Sequence, residues 1–239
     1  MIWHFDSNYS EPRYWIEEKA LRNEFLEKRR KRVGIVSVPT DIRNDYEVYR
    51  LAIRKIASNT NERTLVAAVI PPHGFAGNSL TVNFPFRNDP MRFNELGMSN
   101  SELLVLMGIL NSFVSDYTLR SRMTTNLNLF YLYQLPIPHL NSESSLYSKI
   151  LNRVARLSCT TPQFDDLASE VGLASHKQGA TTPAERARLR AELDGLVSHL
   201  YGLTESEFAH VLTTFPLVPE PVKIAALDAY RDVERGLIK

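Results

Sequence analysis

A nearly continuous apolar run, residues 64–70, ends at two consecutive prolines, and this feature constrains the fold more than any other. A short apolar run that is bounded by chain-breaking residues is typical of a buried strand. Residues 46–58, rich in β-branched and aromatic side chains, precede it across a polar turn at residues 58–62. Asn, Thr and Ser side chains stabilise such turns by bonding to nearby backbone. We therefore predict two neighbouring strands in a largely buried sheet.

Two further segments also have the pattern of strands. Residues 80–84 alternate between apolar and polar side chains and stop at Pro85. Residues 128–135 alternate as well, carry several aromatic rings, and are followed by Pro136 and Pro138. Proline cannot donate a backbone hydrogen bond, so it marks the end of a strand. We predict strands in both segments.

Helical signals dominate the remaining sequence. Ser99 and Thr204 are each followed three residues later by Glu, which is the capping-box pattern, and Pro183 follows Thr182 at another helix start. Apolar residues at helical spacing predict helices over residues 17–32, 99–117, 146–159, 162–171, 182–200, from 204 onward, and 222–237.

These elements predict an α+β fold, in which a small mixed β-sheet core with packed helices is followed by a C-terminal helical bundle. We divide the chain into an N-terminal arm and charged helix (1–32), an α/β core (33–140) and a helical C-terminal segment (141–239).

Composition excludes several classes of protein. Lys and Arg number 28 against 27 Asp and Glu, so the chain lacks the large positive excess of many free-standing nucleic-acid-binding domains. The net charge does not decide this alone, because the electric field near a ligand is set by the charges of the local surface. The single cysteine, Cys159, allows no disulfide within the chain. No signal-peptide pattern and no apolar run of membrane-spanning length occur, so we expect a cytoplasmic protein without a membrane partner.

Catalytic motifs are missing from the sequence. The six histidines do not pair at metal-ligand spacing, and neither a Gly-x-Ser-x-Gly motif nor a glycine-rich phosphate loop occurs. We predict that Cys159 is a packing residue on an apolar helix face. We therefore expect no catalytic residues, no metal site and no cofactor in this chain, which disfavours an independent hydrolase.

Side chains suited to nucleic-acid contacts are more plentiful, and they flank the predicted strands. Arg and Asn bind guanine and adenine edges through paired hydrogen bonds, and both residues, with Thr, also bind phosphates. For each residue alone, an ordinary position on the protein surface explains the side chain at least as well as contact with DNA does. As a set they predict a face for double-stranded DNA, made of Arg54, Lys55, Asn61, Arg63, Arg120, Arg122, Thr124, Thr125, Asn126 and Asn128.

Six sequence blocks, taken in order, carry a resemblance to a known family. They are MIWHFD (1–6), PRYWI (12–16), TNERTLVAAVIP (60–71), LNLFYLYQLPIP (127–138), LRAELDGLVSHLYGLT (189–204) and LTTFPLV (212–218). The ordered set resembles the C-terminal part of the large adenine-specific DNA methyltransferases. These include type IIG restriction–modification enzymes and phage-defence methylases of the bacteriophage-exclusion and DISARM kinds.

The resemblance implies that residues 33–140 form a DNA target-recognition domain, which the helical segment supports. It also implies S-adenosylmethionine on an associated methylase domain, on the same or another chain. The family's Asn-Pro-Pro-Tyr motif is absent, because residues 70–73 here are Ile-Pro-Pro-His. We therefore expect this chain alone not to be catalytic, and to be a C-terminal fragment, a split subunit or the product of a truncated gene.

An alternative function belongs to a different class. The near-neutral charge and the aromatic residues within positions 3–15 also suit a protein-interaction or scaffolding subunit. Such a subunit would dock onto a methylase or another defence component. Salt-dependent DNA binding distinguishes the two hypotheses.

Overall fold

The computed structural model describes residues 2–7, 15–35, 42–123 and 125–238. Across these ranges half of the chain is helical and three strands form one sheet, which confirms the predicted α+β class. The strands are β1 (Arg50–Arg54), β2 (Ala67–Ile70) and β3 (Leu80–Val82). The helices are α1 (Glu18–Val33), α2 (Asn100–Leu110), α3 (Phe113–Arg120), α4 (Leu129–Tyr133), α5 (Ser145–Ser158), α6 (Asp165–Glu170), α7 (Pro183–Leu200), α8 (Glu205–Thr213) and α9 (Glu220–Glu234).

The sheet has the strand order β2-β1-β3, and both pairings are antiparallel. The expected mixture of parallel and antiparallel pairing is therefore wrong for the described residues. No helix lies between β1 and β3 along the described chain, whereas parallel neighbours are usually joined by a helical crossover. Leu51 and Val69 face the main core, whereas Ala52 and Ala68 face a smaller apolar cluster around Ile2. An apolar cluster covers each face of the sheet, so β1 and β2 lack the alternation of apolar and polar residues that a solvent-exposed face would produce.

The helices pack into the same main core as the sheet. One apolar cluster includes Phe5, Leu51, Ile150 and Ile238, and so draws on all three predicted segments. The three-part division stays a prediction. Gly195 of α7 lies against α9 so closely that an added Cβ would come within 2.8 Å of that helix's backbone. Close approach of α7 and α9 therefore requires glycine at this position.

The helix predicted over residues 99–117 is interrupted. Ser99 forms the expected capping box, but α2 ends at Leu110 and α3 begins at Phe113. Asn111 lies at the break, where its side chain accepts a hydrogen bond from Ala67 N (2.8 Å) and donates one to Ala67 O (2.9 Å). Ser112 then caps α3 by accepting from Ser115 N. The break thus joins the helices to β2, a contact that helical periodicity does not reveal.

The strand predicted over residues 128–135 is wrong, because this segment forms the one-turn helix α4. The residues that contact the core are Tyr131, Leu132 and Leu135. Their spacing along the sequence is that of one face of a helix. A strand would have placed alternate residues on one face. An isolated bridge joins Asn126, just before the helix, to Ile56, which lies beyond the end of β1. Burial at helical spacing therefore outweighs the β-propensity of the aromatic side chains.

Among the described residues, no single helix is long and apolar enough to cross a membrane. The pair α2 and α3 together reach that length and composition, but the chain bends by 62° between them. Most side chains of both helices are buried in the protein.

Candidate nucleic-acid interface

Three of the predicted DNA-binding residues meet at one end of the sheet, beyond the end of β1. Lys55, Asn126 and Asn128 line an open groove of about 530 Å³, together with Ile56, Asn78 and Ser79. We call these six residues the amide groove. The groove lies where the chain continues beyond the end of β1 and meets the segment that leads into α4.

Backbone hydrogen bonds hold the walls of the amide groove together. Lys55 N donates to Ser79 O at 2.9 Å, and Leu127 N donates to Lys55 O at 2.9 Å. These bonds join three stretches of chain that are distant in sequence. The backbone that carries the polar side chains of the groove is therefore held by pairing.

The exposed side chains of the groove are chemically suited to nucleic acid. Asn78, Asn126 and Asn128 are exposed amides, each of which can donate and accept hydrogen bonds. Lys55 is half-buried, and its Nζ lies 3.5 Å from Asn78 Oδ1. A lysine ammonium can bind phosphate, while amides can bind base edges.

Acidic residues are absent from the stretches that build the groove. Residues 48–61, 63–88 and 117–142 contain no Asp or Glu, although the chain contains 27. The same stretches supply Lys55 and several arginines, so the local balance is basic while the whole chain is nearly neutral. The lining of the groove itself combines the cation Lys55 with neutral side chains and contains no acidic residue.

Arg63 was predicted to bind DNA, but the structure places it inside the protein. Its Nε donates to Asp116 Oδ2 at 2.8 Å and its Nη2 to Asn111 O at 2.7 Å. The guanidinium also lies 4.2 Å from the centre of the Phe113 ring. Arg63 and Asp116 are both buried, so this ion pair connects the start of the β2 segment to α3. We leave Arg63 out of the candidate interface.

Arg120 and Arg54 are also engaged within the protein. Arg120 donates to Asn59 O (2.8 Å) and Asn61 O (2.6 Å), and so holds the turn at residues 58–62. Arg54 donates to Arg63 O at 2.7 Å. Burial lowers the pKa of both Arg54 and Arg120, because desolvation disfavours the charged form. Asn61 is half-buried and belongs to this turn rather than to the lining of the amide groove.

The remaining predicted residues lie on the segment that approaches the groove. Arg122 and Thr125 are exposed, and Thr124 lies outside the described residues. The structure thus divides the predicted face into two groups. The accessible group is the half-buried Lys55 with the exposed Arg122, Thr125, Asn126 and Asn128, and the internally bonded group is Arg54, Arg63 and Arg120.

An exposed apolar surface adjoins the amide groove. Phe130 is 65% exposed and Tyr133 is 81% exposed, and both lie on α4 directly after Asn128. Leu129 and the groove residue Ile56 are also exposed. We call Ile56, Leu129, Phe130 and Tyr133 the α4 surface. Sequence reasoning missed it, because a strand would not have placed Phe130 and Tyr133 on one face.

Other groups with chemical potential are buried. His4 Nε2 lies 2.9 Å from Leu65 O, and burial, with the Arg63 charge, lowers the pKa of His4 well below its usual value. Burial raises the pKa of Asp194 to about 6 and that of the Cys159 thiol to about 12. A thiol with a raised pKa is unreactive. In the described part of the chain, no three His, Cys, Asp or Glu side chains are grouped as metal ligands.

Comparisons of this chain with protein-family models, with curated proteins and with solved structures gave no match. The family resemblance therefore stays a prediction that rests on the sequence blocks.

Proposed function

We propose that this chain is a DNA target-recognition module of an adenine-specific DNA methyltransferase, within a restriction–modification or phage-defence system. The observation that best supports this proposal is the amide groove. It combines Lys55 with the exposed amides of Asn78, Asn126 and Asn128, in stretches without a single acidic residue. Such a groove suits an anionic ligand that carries hydrogen-bonding edges.

Each exposed residue has a distinct task in this proposal. Lys55 and Arg122 bind phosphates of double-stranded DNA, which fixes the position of the module along the duplex. Asn126 and Asn128 read base edges, where an amide can pair with adenine. The methylase domain on the same or another chain then acts at the site that this module selects.

S-adenosylmethionine belongs on that methylase domain in this proposal, because this chain has no glycine motif for binding the cofactor. The family's motif for holding the target adenine is missing as well. The Pro-Pro pair of this chain lies in Ile70–His73, which lacks the Asn and the Tyr of the family's Asn-Pro-Pro-Tyr motif. His73 is exposed, and its Nδ1 lies 3.3 Å from Glu18 Oε2 at the protein surface. Neither the amide nor the phenol that would hold a target adenine is therefore present.

A second candidate function rests on the α4 surface. Large exposed aromatic side chains often mark protein interfaces. Phe130 and Tyr133, with Trp15 at 89% exposure, would suit a scaffolding subunit that docks onto a methylase or another defence component.

Binding of a labelled DNA duplex, measured by fluorescence anisotropy, distinguishes the two functions. We expect Lys55→Ala and Asn126→Ala each to weaken binding by about fivefold or more, because each removes a hydrogen-bonding group from the groove. Lys28→Ala is the matched control, since Lys28 is an exposed lysine of α1 that pairs with Glu24. Equal losses of affinity in Lys55→Ala and Lys28→Ala would contradict a specific groove, and no binding by the wild-type chain would favour the scaffold.

A further inference from the structure

The α4 surface places two aromatic rings beside the amide groove. Phe130 and Tyr133 are three residues apart on a one-turn helix, so they lie on the same face. Phe130 contacts the half-buried Tyr131, with ring centres 5.6 Å apart in an edge-to-face arrangement. Asn128, which lines the groove, directly precedes the helix. The chain thus passes from the lining of the groove to the first ring within two residues.

We propose that Phe130 and Tyr133 stack on unpaired nucleobases, so that the module binds most tightly where a DNA duplex is locally open. This inference rests on the proposed function, because it requires that the amide groove bind DNA. Aromatic rings stack on any base, whereas hydrogen-bonding residues discriminate among bases. The α4 surface would thus recognise the unpaired state of a base, and the groove would contact the adjoining backbone.

The surroundings of the two rings favour a nucleic acid over a protein as the occupant. Binding sites for unpaired strands combine a positive groove with exposed aromatic rings. Residues 117–142, which carry both rings, contain no acidic side chain. Protein interfaces are depleted in lysine, whereas the groove that Asn128 lines, directly before α4, includes Lys55. The lack of acidic side chains near the rings and the polar lining of the groove therefore suit a polyanion.

Paired and unpaired DNA can be compared directly with the full chain. The probes are a short labelled duplex and the same duplex with a central bulge that carries the fluorescent base 2-aminopurine. Anisotropy measures the affinity, and quenching of the 2-aminopurine emission reports stacking. The variants are Phe130→Leu and Tyr133→Leu, which keep an apolar side chain but remove the ring. Trp15→Leu is the matched control, because Trp15 is exposed and lies outside the α4 surface.

We expect the wild-type chain to bind the bulged duplex about tenfold more tightly than the paired duplex. Phe130→Leu and Tyr133→Leu should lose this preference and the quenching, while they still bind the paired duplex and keep their thermal melting temperature. Trp15→Leu should behave as wild type.

Two results would overturn this inference while the proposed function stands. One is equal, salt-dependent binding of both duplexes by the wild-type chain. The other is a preference for the bulge that the two leucine variants retain. Failure of the wild-type chain to bind either duplex would instead overturn the proposed function, together with the inference that rests on it.

Discussion

Replacing Arg63 with alanine tests whether this residue supports the fold or binds DNA. The substitution removes two donors from a buried network and leaves the Asp116 carboxylate without its cationic partner. Breaking a buried ion pair in this way costs about 3–5 kcal/mol of stability. Asp116 still accepts a hydrogen bond from Thr64 N at 3.0 Å. We therefore expect a loss near the lower end of the range, about 3 kcal/mol.

Equilibrium unfolding in urea, followed by circular dichroism, measures this loss as a shift in the transition midpoint. Arg122→Ala is the matched control, because Arg122 is exposed and an ordinary surface substitution changes stability by about 0.5 kcal/mol or less. The double variant Arg63→Met with Asp116→Leu should be less destabilised than the sum of its single substitutions, because neither charge is then left alone. The reasoning fails if Arg63→Ala keeps wild-type stability but loses affinity for DNA.

Two further predictions concern the helical part of the chain. The raised folded-state pKa of Asp194, about 6 against an ordinary 3.8, means that the folded protein holds this proton more tightly than the unfolded chain. The stability that this proton contributes is fully present below about pH 4 and is lost as pH rises to about 6. Asp194→Asn should therefore flatten the curve of unfolding free energy against pH between these values. An unchanged curve would contradict the raised pKa of Asp194. Gly195→Ala should lower stability by about 1–3 kcal/mol, because the new Cβ would meet the backbone of Ala229 and Tyr230 in α9. The melting temperature of Gly195→Ala, compared with that of Gly77→Ala, tests this prediction. Gly77→Ala is the control, because a Cβ at Gly77 would have no neighbour within 4 Å. Equal melting temperatures in the two variants would refute the prediction.

Local signals in the sequence predicted most of the helices and the central strands. The capping boxes at Ser99 and Thr204 both form, and the apolar run before Pro71 contains β2. Local signals failed where a distant contact decides the structure. The α2–α3 break depends on the bonds from Asn111 to Ala67, 44 residues away. Residues 129–133 became helical because their burial follows helical spacing.

The candidate site was predictable by residue type but not by exposure. Arg54, Arg63 and Arg120 have the chemistry of DNA-binding residues, yet their guanidinium groups bond to the protein interior. The partner of Arg63, Asp116, lies 53 residues along the chain. Asn78 and Ser79 reach the groove because Lys55 N bonds to Ser79 O. Neither of these interactions leaves a mark in the spacing of residues.

The salt dependence of DNA affinity tests the proposed function most directly. Each phosphate contact releases counterions, so the logarithm of the affinity of a DNA-binding groove falls linearly with the logarithm of salt concentration. We predict such a fall for the wild-type chain, with a slope that is reduced by about one in Lys55→Ala and unchanged in Lys28→Ala. An affinity that does not change with salt, or a slope that Lys55→Ala leaves unaltered, would contradict the assignment of the amide groove as the DNA-binding site.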